Sequence, residues 1–442
     1  VTGRGSGKEA RRSHSAVAVI GAGYVGLPTA ATLAHFGHSV TLAEREPARL
    51  AALRSGRMPI VESGLDELVA SGIEAGRLRL TRSATEAVVG AEFVFLCVPT
   101  PQSADGSADL SHIESVAKEI GPELEPGAIV VNKSTVPVGS ATMVEQVIGR
   151  PDIKVVSNPE FLREGSAVLD SMSPDRIVVG SDDPRAAAKV GELFASTAVP
   201  LIVTDATTSE TIKYASNAFL ATKLSFVNAL AGLCEDVGAD ARDVLLGLGY
   251  DKRIGFEFLR PGPGWGGSCL PKDTRALLHI AHEVGYDFSL LAGAIASNEE
   301  QLNRVVAKVE AACGGSLQGA TVTVWGLTFK ANTDDRRDSP ALQITQRLAA
   351  LGAGVRAFDP TVDPEADVPD DLCGLVLCGD AYEAAVGSSV LVVLTEWDDF
   401  RWLDFSRVLA VMAEPSIVDA RNLLDPAAVR RMGFNYAGIG RR

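Results

Sequence analysis

A chain of 442 residues, 46% hydrophobic and 22% charged, has room for two or three domains, each with its own core. Its formal net charge of −15 argues against a general nucleic-acid binder, whose footprint is basic, but leaves room for a local basic pocket. The six cysteines, Cys97, Cys234, Cys269, Cys313, Cys373 and Cys378, form no CxxC pair; no metal or redox motif is expected, and reduced thiols in a cytoplasmic chain fit best.

Residues 1–14 are polar and Gly/Ser-rich and read as a disordered, solvated tail. Arg11-Arg12 ahead of the apolar stretch Ala16–Ala34 superficially resembles a twin-arginine signal. That stretch carries glycines at fingerprint spacing, however, and runs on into a second strand pattern, so the fingerprint explains more residues. No other segment has about 18 consecutive uncharged apolar residues, so no membrane span is expected.

The first block alternates strands and helices. Val17–Ile20 is a strand, followed by Gly21-Ala-Gly-Tyr-Val-Gly26 and an apolar helix through Ala34. Ser39–Ala43, Phe93–Val98, Ile129–Asn132, Lys154–Ser157, Ile177–Gly180 and Leu201–Thr204 continue the series. Strands separated by helical patterns predict parallel βαβ units in a doubly wound sheet. From Ser209 to Val237 Ile212, Ala215, Phe219, Phe226, Leu230 and Leu233 recur at helical spacing, predicting one long helix that spans domains or pairs with another chain. Helices continue to about Ala312, interrupted by the glycine-rich stretch Pro261–Gly267. A second α/β pattern then begins, with strands at Val322–Trp325, Val355–Asp359, Val390–Thr395 and Ile417–Asp419 and a helix at Pro340–Ala350. The predicted fold is α/β, two Rossmann-like doubly wound domains joined by a long central helix and a helical region.

Gly21-x-Gly23-x-x-Gly26 follows a strand and opens a helix, and 23 residues after Gly21 the next strand ends in Glu44. Gly21 permits the tight turn, Gly23 lets the backbone approach a pyrophosphate, and Gly26 allows close helix–strand packing. The helix N-terminus offers N–H donors to the diphosphate, and Glu44 suits adenosine ribose hydroxyls, favouring NAD over NADP. Arg45 could contact a 2′-phosphate, but Glu44 beside it would repel that group.

Further segments lie at strand ends, where open sheets bind ligands: Val98-Pro-Thr-Pro101, Lys133-Ser-Thr-Val-Pro137, and Asn158 to Glu164 with its two carboxylates, Glu160 and Glu164. On the long helix, Lys213 and Asn217 are four residues apart and share a face. Gly264-Trp-Gly-Gly-Ser-Cys269-Leu-Pro-Lys-Asp273 puts a cysteine after what reads as a flexible loop. Pro271 in a first helical turn would place Cys269 at a helix N-terminus, a position that favours the thiolate. Taken singly, each has a plain structural reading: a small buried cysteine, a solvated Lys–Asn pair, local caps. Together, a thiol, a lysine, an asparagine and carboxylates beside a dinucleotide suggest capture of an aldehyde so that a second hydride can leave.

These segments resemble the UDP-glucose 6-dehydrogenase family, within the wider UDP-glucose/GDP-mannose dehydrogenase group. The matching stretches are GAGYVGLPTA, VPTP, KSTVPVG, SNPEFLREGSA, KYASNAFLATKLSFVNA, KRIGFEFLRPGPGWGGSCLPKDT, GLTFKANTDDRRDSP, LTEWDDF and DARNLLD, in order from Val17 to about Asp425. One departure is Glu44 where the family commonly has aspartate. The resemblance implies an NAD-binding domain over 15–205, a central helical dimerisation domain over 206–312, and a sugar-nucleotide-binding α/β domain over 313–442. It implies catalytic roles for Cys269, Lys213, Asn217, Glu160 and Asp273, with Thr135 holding a water, in a four-electron oxidation of a sugar C6 hydroxyl. Cofactor contacts are implied at Gly21, Gly23, Tyr24, Val25, Gly26, Glu44, Arg49, Pro99, Thr100, Ser134, Thr135, Glu164 and Arg337. Substrate contacts are implied at Glu160, Phe161, Leu162, Arg163, Glu164, Lys213 and Asn217. The glycine-rich loop and its flanks add Phe258, Leu259, Arg260, Gly266 and Cys269, and the C-terminal domain adds Phe329, Lys330 and Arg421. Arg253 matches a residue that reaches the sugar from a neighbouring subunit, so a homodimer or higher homo-oligomer is implied.

GDP-mannose 6-dehydrogenases share the catalytic segments, but the Lys252–Leu259 stretch and the WGGSC loop look more like the UDP-glucose branch. Ser268 stands where the branch acting on N-acetylated sugars tends to have histidine. Thymidine and uridine nucleotides differ too little for the sequence to separate them, so dTDP-glucose remains open. A sugar-nucleotide-binding regulator without catalysis is the alternative of another class, opposed by the intact set of Cys269, Lys213, Asn217, Asp273 and Glu160. Neither a nucleic acid nor a membrane is an expected partner.

Overall fold

The computed structural model describes residues 14–103, 106–365 and 369–441; the expected N-terminal tail lies almost wholly outside them. The chain divides into two compact units, one running to Pro101 and including Asp109–Lys213, the other formed by Gln102–Ala108 and the chain from Tyr214 onward.

The first unit is built on eight strands: β1 (Ala16–Ile20), β2 (Ser39–Ala43), β3 (Leu78–Thr81), β4 (Phe93–Leu96), β5 (Ile129–Asn132), β6 (Lys154–Ser157), β7 (Ile177–Gly180) and β8 (Leu201–Thr204). Their order is β3-β2-β1-β4-β5-β6-β7-β8, with the switch of direction between β1 and β4. Both faces are covered, so alternate residues feed different cores. Val17 and Val19 pack with Phe93, Phe95 and Val131 on one face, and Ala18 and Ile20 with Val94, Leu96 and Val130 on the other. Continuous apolar runs are therefore the sequence signature of these strands.

Two features depart from expectation. The sheet is not wholly parallel, because β7 pairs antiparallel with β6 through Ser157 and Gly180, and β8 follows β7 in parallel. The edge strand β3 has no strand-like pattern in the sequence: Arg79 is exposed and only Leu78 and Thr81 are buried, as suits an edge that discourages further pairing.

The central helix, Ala206–Val237, has 32 residues and a length of about 48 Å at 1.5 Å per residue. Among the described residues it alone has the length and apolarity of a membrane-crossing helix. One face of it is buried in the fold: Tyr214, Ala218, Ala221, Val227 and Ala231 are buried, the polar Glu210, Lys213, Asn217 and Asn228 are buried and hydrogen-bonded, and Phe219, Phe226, Leu233 and Val237 are exposed.

The second unit carries a six-stranded parallel sheet, β9 (Thr321–Trp325), β10 (Gly354–Phe358), β11 (Val376–Leu377), β12 (Val390–Val393), β13 (Ser416–Asp419) and β14 (Asn435–Gly438), in the order β11-β10-β9-β12-β13-β14. This is the winding of the first sheet repeated. The short strands β11 and β14 lie at its edges and were not evident in the sequence. The C-terminal segment returns to the helical region, where Gly440 N–H donates to Glu235 and Gly440 C=O accepts from Ala241 N–H.

Candidate active site

The glycine turn after β1 has the geometry its spacing requires. Gly21 sits at φ +102°, and a Cβ there would stand 2.7 Å from the Cys97 carbonyl oxygen. A Cβ on Gly26 would lie 1.9 Å from Gly21 O, so the helix Gly26–His35 reaches this close only because residue 26 is glycine. A Cβ on Gly23 would meet no protein atom within 4 Å, which leaves the space a pyrophosphate needs. Tyr24 and Val25 continue the turn, and Val25, the N-cap, adds no side-chain cap. Glu44 is 5% exposed and accepts from Ala22 N–H at 3.1 Å and Glu46 N–H at 2.9 Å, while Arg49 stands 3.6 Å away. Arg45 is exposed, as an unengaged strand-end charge would be. The cradle fits a dinucleotide whose ribose meets Glu44.

Farther along the same sheet edge, loops after β4, β5 and β6 are tied together. Ser134 Oγ donates to Val98 O at 2.7 Å, and Thr100 Oγ1 donates to the Thr135 carbonyl at 2.9 Å, while Pro99 between them is exposed. Lys133, 8% exposed, donates from Nζ to Asn158 Oδ1 at 3.1 Å. Lys213 Nζ donates to Glu160 Oε1 at 2.8 Å, and Glu160 Oε2 accepts from Leu162 N–H at 2.7 Å. Burial opposes ionisation of Glu160, but the Lys213 charge and hydrogen bond, the Leu162 N–H and Lys133 together hold its pKa below the ordinary value. Burial lowers the pKa of Lys133, against the pull of Cys97 and Glu160. The Phe161 ring lies under the Arg176 guanidinium at 3.7 Å, and Arg163 pairs with Asp170 at 2.6 Å, which leaves its charge already partnered.

In the second unit, Cys269 is the N-cap of the helix Leu270–Glu283, with Pro271 in the first turn, as the sequence predicts. Its carbonyl accepts from Asp273 N–H at 2.9 Å. Asp273 is fully buried and accepts from Asn217 Nδ2 at 2.5 Å and from Lys272 Nζ at 2.6 Å. Cys97, by contrast, is buried with its thiol pushed up to about 12, which disqualifies it as a nucleophile at neutral pH.

The expectation of a flexible loop before Cys269 is corrected. Asn298 bonds both the N–H and the C=O of Trp265, the Trp265 indole donates to Ser225 Oγ, and Gly262 is held by Asn228 and Gln301. The glycines serve close packing: a Cβ on Gly266 would lie 2.1 Å from Asp338 O, and one on Gly267 would lie 2.8 Å from the Phe329 ring. Arg421 anchors the same region, donating to the Leu394 and Phe329 carbonyls. Lys330 Nζ stands 5.5 Å from the Phe329 ring, Arg337 pairs with Asp335 at 2.7 Å, and Arg253 pairs with Asp251 at 2.6 Å while remaining largely exposed. Leu259 is buried, Arg260 is exposed, and Phe258 takes φ +60°, a strained conformation for an aromatic residue that no sequence pattern announced.

Sequence reasoning thus missed Lys133 as a buried cation, the Arg176–Phe161 stack, and the pinning of the cysteine loop by Asn228, Asn298 and Gln301. Asn and Gln are common surface residues, so only their burial distinguishes these.

A glycine turn with open space at its second glycine, followed by a strand that leads to a buried acid, defines a dinucleotide-binding domain. Three domain models of the UDP-glucose/GDP-mannose dehydrogenase family match: the NAD-binding domain at residues 15–198, the central domain at 207–300 and the UDP-binding domain at 323–426. The UDP-glucose 6-dehydrogenase of Rhizobium meliloti is 45% identical over 96% of this chain and 99% of its own length. That of Pseudomonas aeruginosa is likewise 45% identical, over 96% of this chain and 97% of its own. The solved UDP-glucose dehydrogenase of Pyrobaculum islandicum superposes with a TM-score of 0.88 at 34% identity, covering 100% of both chains. The chain therefore belongs to the UDP-glucose/GDP-mannose dehydrogenase family and is an NAD-dependent nucleotide-sugar dehydrogenase.

Proposed function

We propose that this enzyme oxidises the C6 hydroxyl of UDP-glucose to the carboxylate of UDP-glucuronate in two successive hydride transfers, with Cys269 as covalent nucleophile. The observation that carries the reading is Cys269 at the N-cap of a 14-residue helix, in a chain 45% identical to UDP-glucose 6-dehydrogenases along nearly its whole length. NAD, held at Gly21–Gly26 and Glu44, supplies the hydride acceptor. In the first oxidation a water backed by Asp273 as base takes up the hydroxyl proton, and the Lys213 ammonium stabilises the developing alkoxide. Cys269 Sγ then adds to the aldehyde carbon as the thiolate, and Lys213 and Asn217 stabilise the oxyanion of the thiohemiacetal. Loss of a second hydride leaves a thioester. Glu160, kept ionised by Lys213, accepts a proton from the attacking water, with Thr135 holding that water, and the C–S bond breaks to release acid and thiol. Each sugar thus consumes one water and reduces two NAD.

Residues 15–205, 206–312 and 313–442 serve as cofactor, dimerisation and sugar-nucleotide domains in this reading. Phe219, Phe226, Leu233 and Val237 are 54–70% exposed on the central helix, an apolar stripe that a second copy of the chain would cover in a homodimer. Arg253 would then act in the neighbouring subunit's site. The six free thiols suit the cytoplasm.

The test is NADH production from UDP-glucose, dTDP-glucose, GDP-mannose and UDP-N-acetylmannosamine. UDP-glucose should be preferred, with two NADH per acid and no free aldehyde. Glu160→Gln should stall as a sugar adduct on Cys269, visible by intact mass. One NADH per sugar with aldehyde released, or near-normal acid formation by Cys269→Ala, would remove the covalent mechanism.

A further inference from the structure

The two loops of the first unit that carry Thr135 and Glu160 each run into a helix that does not cap itself. The first leads into Ser140–Ile148, whose N-cap, Gly139, has no side chain to offer. The second leads into Ala167–Met172, whose N-cap, Ser166, turns its hydroxyl to Arg163 O and Asp170 instead. In both cases a buried glutamate from far along the chain takes the orphaned N–H groups. Glu210, on the central helix, accepts from Gly139 N–H at 2.6 Å and Ala141 N–H at 2.9 Å. Glu62, just ahead of the helix Leu65–Glu74, accepts from Gly165 N–H at 2.7 Å and Ala167 N–H at 2.6 Å. Glu210 is 2% exposed and Glu62 8%.

Neither residue has a part in the reaction as written above. Burying a carboxylate is costly unless fixed donors compensate it, and the positive end of a helix with two aligned N–H groups is such a partner. That both loops use the same device, from different elements, links the placement of each loop to a residue outside it. The opposite ends of the loops are already tied, through Lys133 to Asn158 and through Ser134 to Val98.

We propose that Glu62 and Glu210 are positioning residues: Glu210 sets the far end of the loop that carries Ser134 and Thr135, and Glu62 sets the far end of the loop that carries Glu160 and Glu164. The proposal rests on the preceding reading only in calling these loops catalytic. The two clamps also differ in kind, because burial raises the Glu210 carboxyl to about 7 in spite of its two N–H donors, with Asp182 and Asp205 adding to the rise. A carboxyl whose pKa is higher in the closed loop than in an open, solvated one binds its proton more tightly when the loop is closed. The Glu210 clamp is therefore firmest in acid and weakens as pH climbs through about 7.

The test is amide hydrogen exchange on the full chain, corrected for intrinsic rates, alongside kcat with UDP-glucose. Glu210→Ala should speed exchange about tenfold across 133–144 and leave 158–170 unchanged, and Glu62→Ala should do the reverse. Glu210→Gln, which mimics the protonated carboxyl, should keep most of the protection at pH 6 and lack the decline that the wild type shows between pH 6 and 8. In each alanine variant kcat should fall about tenfold, and the glutamine variants, which retain one acceptor oxygen, should recover part of it. Faster exchange spread evenly over the whole unit, unchanged exchange in the clamped loop, or kcat within twofold of wild type despite a loosened loop would each overturn the proposal. If the alanine variants do not fold, the glutamine pair carries the same comparison. Wild type that ignored UDP-glucose would count against the substrate reading and leave the exchange result standing.

Discussion

The two sheets of this protein repeat one winding, yet only the first keeps the features of a dinucleotide site. In both, the first strand is followed by a glycine with positive φ, Gly21 at +102° and Gly326 at +90°, and the second strand leads to an acid, Glu44 or Asp359. At Gly21 the chain goes on with Gly23, open to a ligand, and Gly26, in contact with the strand edge. At Gly326 it goes on with Leu327 and Thr328, both fully buried. Asp359 Oδ2 accepts from the Leu327 and Thr328 N–H groups at 2.7 and 3.1 Å and from the Trp397 indole at 3.3 Å, while Oδ1 accepts from Thr361. An acid so saturated has nothing left for a ribose. The turn after the first strand is open for a cofactor in one unit and filled by its own buried hydrogen bonds in the other, so the same topology need not carry the same site.

Four measurements test that contrast. The largest effect should come from Asp359→Ala, which strands several buried N–H donors: denaturant unfolding should show a loss of about 4 kcal/mol, with NAD affinity unchanged. Weakened NAD binding in that variant would tie the second sheet to the cofactor and break the comparison. Gly23→Ala should do the opposite. A Cβ there meets no protein atom, so melting should shift little, while NAD affinity measured by nicotinamide fluorescence should fall by roughly 2–3 kcal/mol because the methyl occupies the pyrophosphate approach. Next, Glu44→Ala should weaken NAD by about 1.4 kcal/mol, a factor of ten, and narrow its preference over NADP. Wild type using NADP as readily as NAD would show that Arg45 outweighs Glu44.

The smallest effect concerns pH, and its sign should differ between the sheets. Glu160, beyond β6, has its pKa lowered against burial by Lys213, so its contribution is present above the ordinary carboxylate value and is lost as pH falls through the depressed one. Asp419, at the end of β13, has its pKa raised by burial, against hydrogen bonds from Leu424, Leu423, Tyr436 and Arg421, so its contribution is full in acid and is lost as pH rises through the elevated value. The stability gap between wild type and Glu160→Gln should therefore close below about pH 4.5, and that between wild type and Asp419→Asn should close as pH rises through the elevated Asp419 value. Parallel pH dependence in the two variants would show that the two strand-end acids do not differ in this way.

Much of the fold was legible because interior strands and glycine turns have local signatures. Val17–Ile20, Ile129–Asn132 and Pro340–Ala350 stand where the apolar runs and helical spacing put them, within a residue. Three of the four edge strands were not legible, the apolar β8 being the exception: β3 mixes Arg79 with Leu78, β11 has two residues, and β14 contains Asn435 and Gly438. An edge strand buries one side or less, so its sequence carries little of the pattern. The reversal of β7 against β6 was equally silent, since pairing direction depends on how the connecting chain returns and not on the strand's own residues.

In the candidate site, residue types at fixed spacing singled out Cys269, Lys213, Asn217 and Glu160, because a thiol, an amine, an amide and a carboxylate are chemically distinctive side chains, and the family resemblance added Asp273. The sequence also determined the glycine turn, the strand-end acids and the unbroken central helix, all of which rest on steric or periodic rules that act within a few residues. Only the tertiary structure decided that Lys213 meets Glu160 across 53 positions of chain and that Asn217 meets Asp273 across 56. It alone decided that Glu62 and Glu210 close helices they do not belong to, and that the glycine loop before Cys269 is held rather than mobile. Such contacts depend on which surfaces the packed sheets bring together, and a carboxylate or an amide carries no local mark of the distant N–H it will satisfy.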